Sequence, residues 1–170
     1  MKKINKVLFC LTILSILSLA VSCSQNNTGP GTPAVTSISA EESVTPSGQI
    51  DYNAKSINDP KSWVETTEPQ DGQTEVDSGS NITVKFKCDM DESTLNGSNI
   101  IIGEGKHDGI ITELYNFNYD KETKTLDISF KLPGNGVGTG NGINVFISRK
   151  VKNTQGNEMG IDVIFGYSTK

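Results

Sequence analysis

Between Ile82 and Asn96 the chain reads ITVKFKCDMDESTLN, and this stretch narrows its possible folds more than any other. Ile82, Val84 and Phe86 fall on one face of an extended backbone, and Thr83, Lys85 and Lys87 on the other. A period of two marks a strand with one buried and one wet face. The alternation breaks at Cys88. Asp91 then stands where a carboxylate caps a short helical turn through Ser93, Thr94 and Leu95. Met90 is expected to plug the end of the core.

The same period returns further along. Thr125–Leu132 places Leu126, Ile128, Phe130 and Leu132 on one face, and Ile143–Ser148 does so with Ile143, Val145 and Ile147. Ile161–Tyr167 repeats it through Ile161, Val163, Phe165 and Tyr167. Trp63–Thr66 and Asn99–Ile102 read as further strands, and Ile110–Tyr119, apolar on both faces in parts, as a central one. Pro69-Gln70-Asp71-Gly72 is a turn in which Pro fixes φ and Gly tolerates a positive φ. Asp120–Lys124 and Asn153–Asn157 are turns as well. About seven strands over residues 63–170, with no helical period and no internal repeat, predict one all-β domain, an antiparallel β-sandwich. Trp63, at its entrance, is expected to be a lid over the core.

Three spaced blocks carry a family resemblance. Pro69, Asp71, Gly72 and Val76 fit P-x-D-G-x-x-x-V, and Phe86, Met90, Asp91, Ser93, Thr94 and Leu95 fit F-x-x-x-M-D-x-S-T-L. Asn153, Gly156 and Asn157 fit D-x-x-G-N, with Asn in place of the first Asp. In this order they resemble the bacterial Ig-like domain of the S-layer-associated type (Ig-like domain 5) over roughly residues 63–170. The resemblance implies an Ig-like sandwich that serves, without catalysis, as a spacer or display module of bacterial surface proteins. Ile143 stands where that family usually has an aromatic, and a Gly-rich insert precedes it. The Cys pair flanking a Trp in antibody domains is absent.

The N-terminus fixes the expected compartment. Lys2, Lys3 and Lys6 precede an apolar run, Val7–Leu19, too short to cross a bilayer, which needs about 20 residues. This is the pattern of a secretory signal, expected over residues 1–22. Leu19-Ala20-Val21-Ser22-Cys23 resembles a bacterial lipobox, with Ala20 where Leu is preferred, and implies lipidation of Cys23 (palmitate among the acyl groups). The alternative is an ordinary signal peptide with Cys23 incidental. More than one acyl chain is what stable anchoring requires. Ser24 beside the acylated Cys suggests an outer membrane, on its surface or its periplasmic face. Residues 23–62, rich in Ser, Thr, Asn, Pro and Gly, read as a flexible tether that cannot bury enough apolar surface to order itself. As a coil of roughly 39 residues it spans about 35 Å. Ile50-Asp51-Tyr52 is a candidate docking segment within it, and a solvated linker is the plainer reading. With Cys10 in the signal and Cys23 acylated, Cys88 has no partner for an intramolecular disulfide. Asp89 and Asp91 beside it oppose a reactive thiolate.

Catalytic chemistry is hard to assemble, and no enzyme is expected. The one histidine, His107, lies in a polar loop, and no nucleophile-elbow motif accompanies it. Asp89, Asp91 and Glu92 are candidate calcium ligands, hard oxygens near one strand end, although no EF-hand loop is present. One His and the remote Met90 and Met159 argue against copper. The run Pro133–Gly142 lacks the spacing of a phosphate loop and leads into a strand. It reads as a long mobile connection, with Gly136, Gly138, Gly140 and Asn141 as candidate binding residues. No cofactor is expected. Residues 1–22 hold three lysines and no acidic residue, so the remainder has 12 basic against 20 acidic residues, a net charge near −8. That balance disfavours nucleic acid. The expected role is a membrane-anchored envelope module, structural or binding a protein or glycan of envelope or host. The alternatives are a periplasmic module for calcium or a small ligand and, last, a hydrolase.

Overall fold

The computed structural model describes residues 48–105 and 109–170. Its strands are β1 (Lys55–Ser56), β2 (Val64–Glu68), β3 (Ile82–Phe86), β4 (Ile100–Glu104), β5 (Gly109–Ile110), β6 (Tyr115–Asp120), β7 (Thr125–Phe130), β8 (Gly142–Ile147) and β9 (Val163–Ser168). They form two sheets, in the orders β1-β9-β8-β4-β5 and β2-β3-β7-β6. Neighbouring strands run antiparallel except β1, which lies parallel to β9. The protein is an all-β, Ig-like sandwich.

The alternation in the sequence explains the register. Ile82 pairs with Ile128 and Val84 with Leu126, so the apolar sets of β3 and β7 share a face. A slip of one residue would turn both sets toward water. Across the core they meet the sheet that carries Ile100, Ile102, Ile143, Val145, Ile147, Val163 and Phe165, all buried. Full burial of each such side chain contributes about 1.5–3 kcal/mol. Trp63 and Met90 belong to the same cluster.

Three sequence expectations need correction. Ile110–Tyr119 is not one central strand but two short strands in different sheets, β5 and β6, joined by a 3-10 turn at Thr112–Leu114. Thr112 Oγ1 accepts the Ile102 N–H at 2.8 Å, so its hydroxyl takes the place of a strand partner where the chain crosses between sheets. Leu132 does not face inward: β7 ends at Phe130, and Leu132 is 63% exposed.

The tether does not extend to Ser62. Lys55 and Ser56 pair with Val163 and Ile164, and Ile57 and Ser62 are buried. Ile50 also docks. A Cβ on Gly103 would lie 2.5 Å from Ile50 Cδ1, so this isoleucine rests on the glycine. Gly103 sits on the outer face of its sheet, on the same side as Ile101 and Phe146, which pair across β4 and β8. Both are buried although they point away from the sandwich core. These apolar residues on the wrong face give the N-terminal segment a reason to fold back.

The edge of β9 is closed. Beyond β1, Gly72 N–H donates to Gly166 O (2.7 Å), Ser168 N–H to Gln73 O (2.9 Å) and Val76 N–H to Ser168 O (3.1 Å). Asp71 Oδ1 accepts the Gly166 N–H at 3.0 Å. Covering the edge in this way prevents unplanned pairing with other chains.

Candidate functional site

The acidic residues at the end of β3 are each engaged separately. Asp91 Oδ1 accepts from Ser93 N (3.1 Å) and Ser93 Oγ (2.7 Å), capping the 3-10 turn Glu92–Thr94. Those Ser93 bonds hold the Asp91 carboxyl below its ordinary pKa. Asp89 pairs with Lys124 and Glu92 with Lys121, each at 3.3 Å. The surface here is a shallow depression lined by Met90, Asp91, Glu92, Ser93, Lys121 and Thr154. Among the described residues no group of three or more His, Cys, Asp or Glu side chains converges as a metal site would require. The candidate calcium ligands are therefore neighbours in sequence that do not form a cage.

The spacing of the motif residues in this stretch has a structural use. Asp91 N–H donates to Lys152 O (2.8 Å) and Thr154 N–H to Asp89 O (3.0 Å). Met90 bridges to Asn153, and Thr94 Oγ1 accepts the Lys152 N–H at 3.0 Å. Asn153 Oδ1 in turn accepts from Gln155 N and Asn157 N, both at 3.0 Å, which shapes the late turn. The middle and last motif blocks, more than fifty residues apart, thus clamp each other. Tyr119 adds a further tie, its hydroxyl accepting the Met90 N–H at 3.1 Å.

The Gly-rich run is tied down where a mobile connection was expected. Val137 is buried, and its N–H donates to Ser78 O at 3.0 Å. Gly138 O accepts from Thr169 Oγ1 (2.8 Å), and Gly140 N–H donates to Lys170 O (2.6 Å). Asn141 exchanges bonds with Thr169 and donates its side-chain amide to Glu104. Gly136 is required by a close approach, because a Cβ there would lie 2.9 Å from Ser78 O. Gly136→Ala should therefore lower stability by about 1–3 kcal/mol, as overpacking does. A thermal melt checks this, and an unchanged midpoint would contradict the packing of the loop on Ser78. The amide of Asn141 and the space at Gly136 and Gly138 thus serve the fold.

Tyr115 is the unusual polar group of the interior. Its residue is 2% exposed, its ring lies 4.4 Å from that of Phe130, and its hydroxyl has no hydrogen-bond partner among the described residues. Burial, with Tyr167 and Glu104 nearby, pushes its ionisation far above the ordinary phenol range. Tyr167 is raised by burial to about 12. Neither ring supplies a phenolate near neutral pH. Removing a buried hydroxyl that lacks a partner removes a desolvation cost. Tyr115→Phe should leave stability unchanged or raise it by about 1 kcal/mol. A clear loss in chemical denaturation would show that the hydroxyl is satisfied.

His107, Cys23 and the signal segment lie outside the described residues. Sequence reasoning missed the roles of Thr94, Lys152 and Thr169. Each acts through backbone groups distant in sequence, for which no local pattern exists.

Two sheets of this order, closed by paired motif blocks, define a bacterial Ig-like module. The family model of the bacterial Ig-like domain matches residues 59–169, and the chain belongs to that family. No curated protein sequence matches it significantly. Among solved structures, the S-layer protein rSbsC(31-844) aligns at 17% identity and TM-score 0.46, over 62% of this chain and 13% of that one. Alpha-2-macroglobulin from E. coli aligns at 15% identity and TM-score 0.43, over 56% of this chain and 5% of that one. CopC from Methylosinus trichosporium OB3b aligns at 9% identity and TM-score 0.44, over 64% of this chain and 92% of that one. The chain thus spans a small part of the first two proteins.

Proposed function

We propose that this protein is a non-catalytic Ig-like module held at the cell envelope by lipid on Cys23, with a structural role or one in binding a protein or glycan of envelope or host. One observation supports the non-catalytic part of this reading most directly. The motif residues Asp71, Met90, Asp91, Thr94 and Asn153 are all engaged in tying the chain to itself. Against the calcium alternative stands that Asp89 and Glu92 are each paired with a lysine while Asp91 caps the turn. Anchoring rests on the lipobox-like sequence before Cys23 and on the apolar run preceding it.

Metabolic labelling with a fatty-acid probe, followed by fractionation, tests the anchor. The parent chain should carry label and sediment with membranes, and Cys23→Ser should lose both. Label retained by Cys23→Ser would overturn the assignment. Protease treatment of intact cells then locates the module: digestion places it on the surface, and protection until permeabilisation places it in the periplasm.

A further inference from the structure

The dipeptide Asn-Gly occurs at Asn96-Gly97, Asn135-Gly136 and Asn141-Gly142. In such a pair the glycine N can attack the asparagine side-chain carbonyl, because no Cβ on the glycine hinders the approach. The reaction needs a side chain free to rotate into contact, a glycine N–H without an acceptor, and water at hand. The fold grants these to the three sites very unequally.

Asn96 has its side chain held at both ends. Its Nδ2 donates to Ser93 O at 2.7 Å, and its Oδ1 accepts the Ser98 N–H at 2.9 Å. Its backbone oxygen accepts from Asn99 N and Ile100 N, which keeps the turn shut. Asn141 donates Nδ2 to Glu104, and its own N–H and C=O are both bonded to Thr169. Gly142 already lies in β8 opposite Ser168, its oxygen accepting the Gly105 N–H at 2.7 Å. Asn135 is different. It closes the turn after Pro133 and Gly134, its N–H donating to Leu132 O at 3.1 Å. Its side chain and the Gly136 N–H bond to no described residue, and both residues are exposed. The tie to the rest of the domain begins one residue later, at the buried Val137.

We propose that Asn135 is a site of spontaneous modification, converting to aspartate and isoaspartate through a cyclic imide while Asn96 and Asn141 stay intact. Gly136 N, on losing its proton, forms a bond to Asn135 Cγ. The Cγ–Nδ2 bond breaks, and Nδ2 takes up that proton and leaves as ammonia. Water then opens the imide at either carbonyl. Opening at Cγ restores the main chain as aspartate, whereas opening at the main-chain carbonyl routes the chain through Cγ as isoaspartate. Both products carry a new carboxylate. The isoaspartate also lengthens the backbone by one atom where there is no slack, since a Cβ on Gly136 would lie 2.9 Å from Ser78 O. That product releases Val137 from its 3.0 Å bond to Ser78 O.

The full chain in mild detergent, held at mildly alkaline pH to favour loss of the amide proton, is mapped over time by peptide mass spectrometry. Asn135 should convert at least about tenfold faster than Asn96 or Asn141, the factor that about 1.4 kcal/mol of extra barrier gives. In urea that unfolds the chain, the three should convert at similar rates. Equal rates in the folded chain overturn the proposal. So does the same order of rates in urea, since neighbours in sequence and not the fold would then set it. Asn135→Gln, whose ring closure is larger and slow, should remove conversion at this position and melt with the parent. Freshly purified Asn135→Asp, which adds the charge alone, should also melt with the parent, and the aged parent should melt lower than both. An aged parent that melts with Asn135→Asp overturns the release of Val137.

Discussion

Phe86→Ala is expected to lower the unfolding free energy by about 3–5 kcal/mol, the cost of deleting a buried ring and leaving a cavity. Phe86 is completely buried at the end of β3, with its ring edge-on to Tyr119 at 6.4 Å between centroids. Its strand is flanked by β2 and β7 within the sheet, so the space cannot close by moving a single side chain. A domain of this size has roughly 5–15 kcal/mol in total. The loss therefore takes a large share of the whole. Urea unfolding should show a lower midpoint with little change in slope. A loss below about 1 kcal/mol would mean that the ring is not at the centre of the core.

Asp162→Ala should come next, at about 2–3 kcal/mol. Asp162 is buried just before β9, and its carboxylate accepts Arg149 N (2.6 Å), Nε (2.9 Å) and Nη2 (2.6 Å). Its backbone oxygen also accepts the Lys55 N–H at 2.9 Å, which joins β1 to the same corner. The arginine side chain is 43% exposed, so part of the ionic attraction is screened by water. That is why the figure is below the range for a fully buried pair. Arg149→Lys should recover only part of the interaction, because an ammonium cannot reproduce the planar two-point contact. Equal stability of the lysine variant and the parent would remove the case for geometry.

Much of the fold was legible in the sequence because β3, β7, β8 and β9 each bury one face against water on the other. The buried positions Ile82, Val84, Phe86, Leu126, Ile128, Ile143, Val145, Ile147, Val163, Phe165 and Tyr167 follow from the period alone. Where two faces are covered, the period fails. Ile100, Ile101 and Ile102 are all buried, so nothing in that run announces which residue points to the core. The crossing at Thr112 was invisible for another reason: no Gly or Pro marks it, and the bond that makes it belongs to a hydroxyl ten residues from its partner. Lys55 and Ser56 join a sheet through backbone alone, and their polar side chains look like tether. The candidate acidic residues Asp89, Asp91 and Glu92 are close in sequence, which says nothing of how their side chains are used. Lys124 and Lys121 draw Asp89 and Glu92 to separate partners.

The parallel placement of β1 against β9 has a mechanical consequence. A pull entering the module ahead of Lys55 and leaving it through Thr169 and Lys170 acts along the two strands in opposite senses, since Lys55 lies beside Val163 and the chain leaves from the far end of β9. The bridge of Val76 to Thr169 is parallel too, and lies at that far end. Load is then carried in shear, with the hydrogen bonds along β9 strained together, whereas an antiparallel terminal ribbon would peel open one bond at a time. A module drawn by its two ends would therefore release β1, held by two paired residues, in a single step and not by peeling.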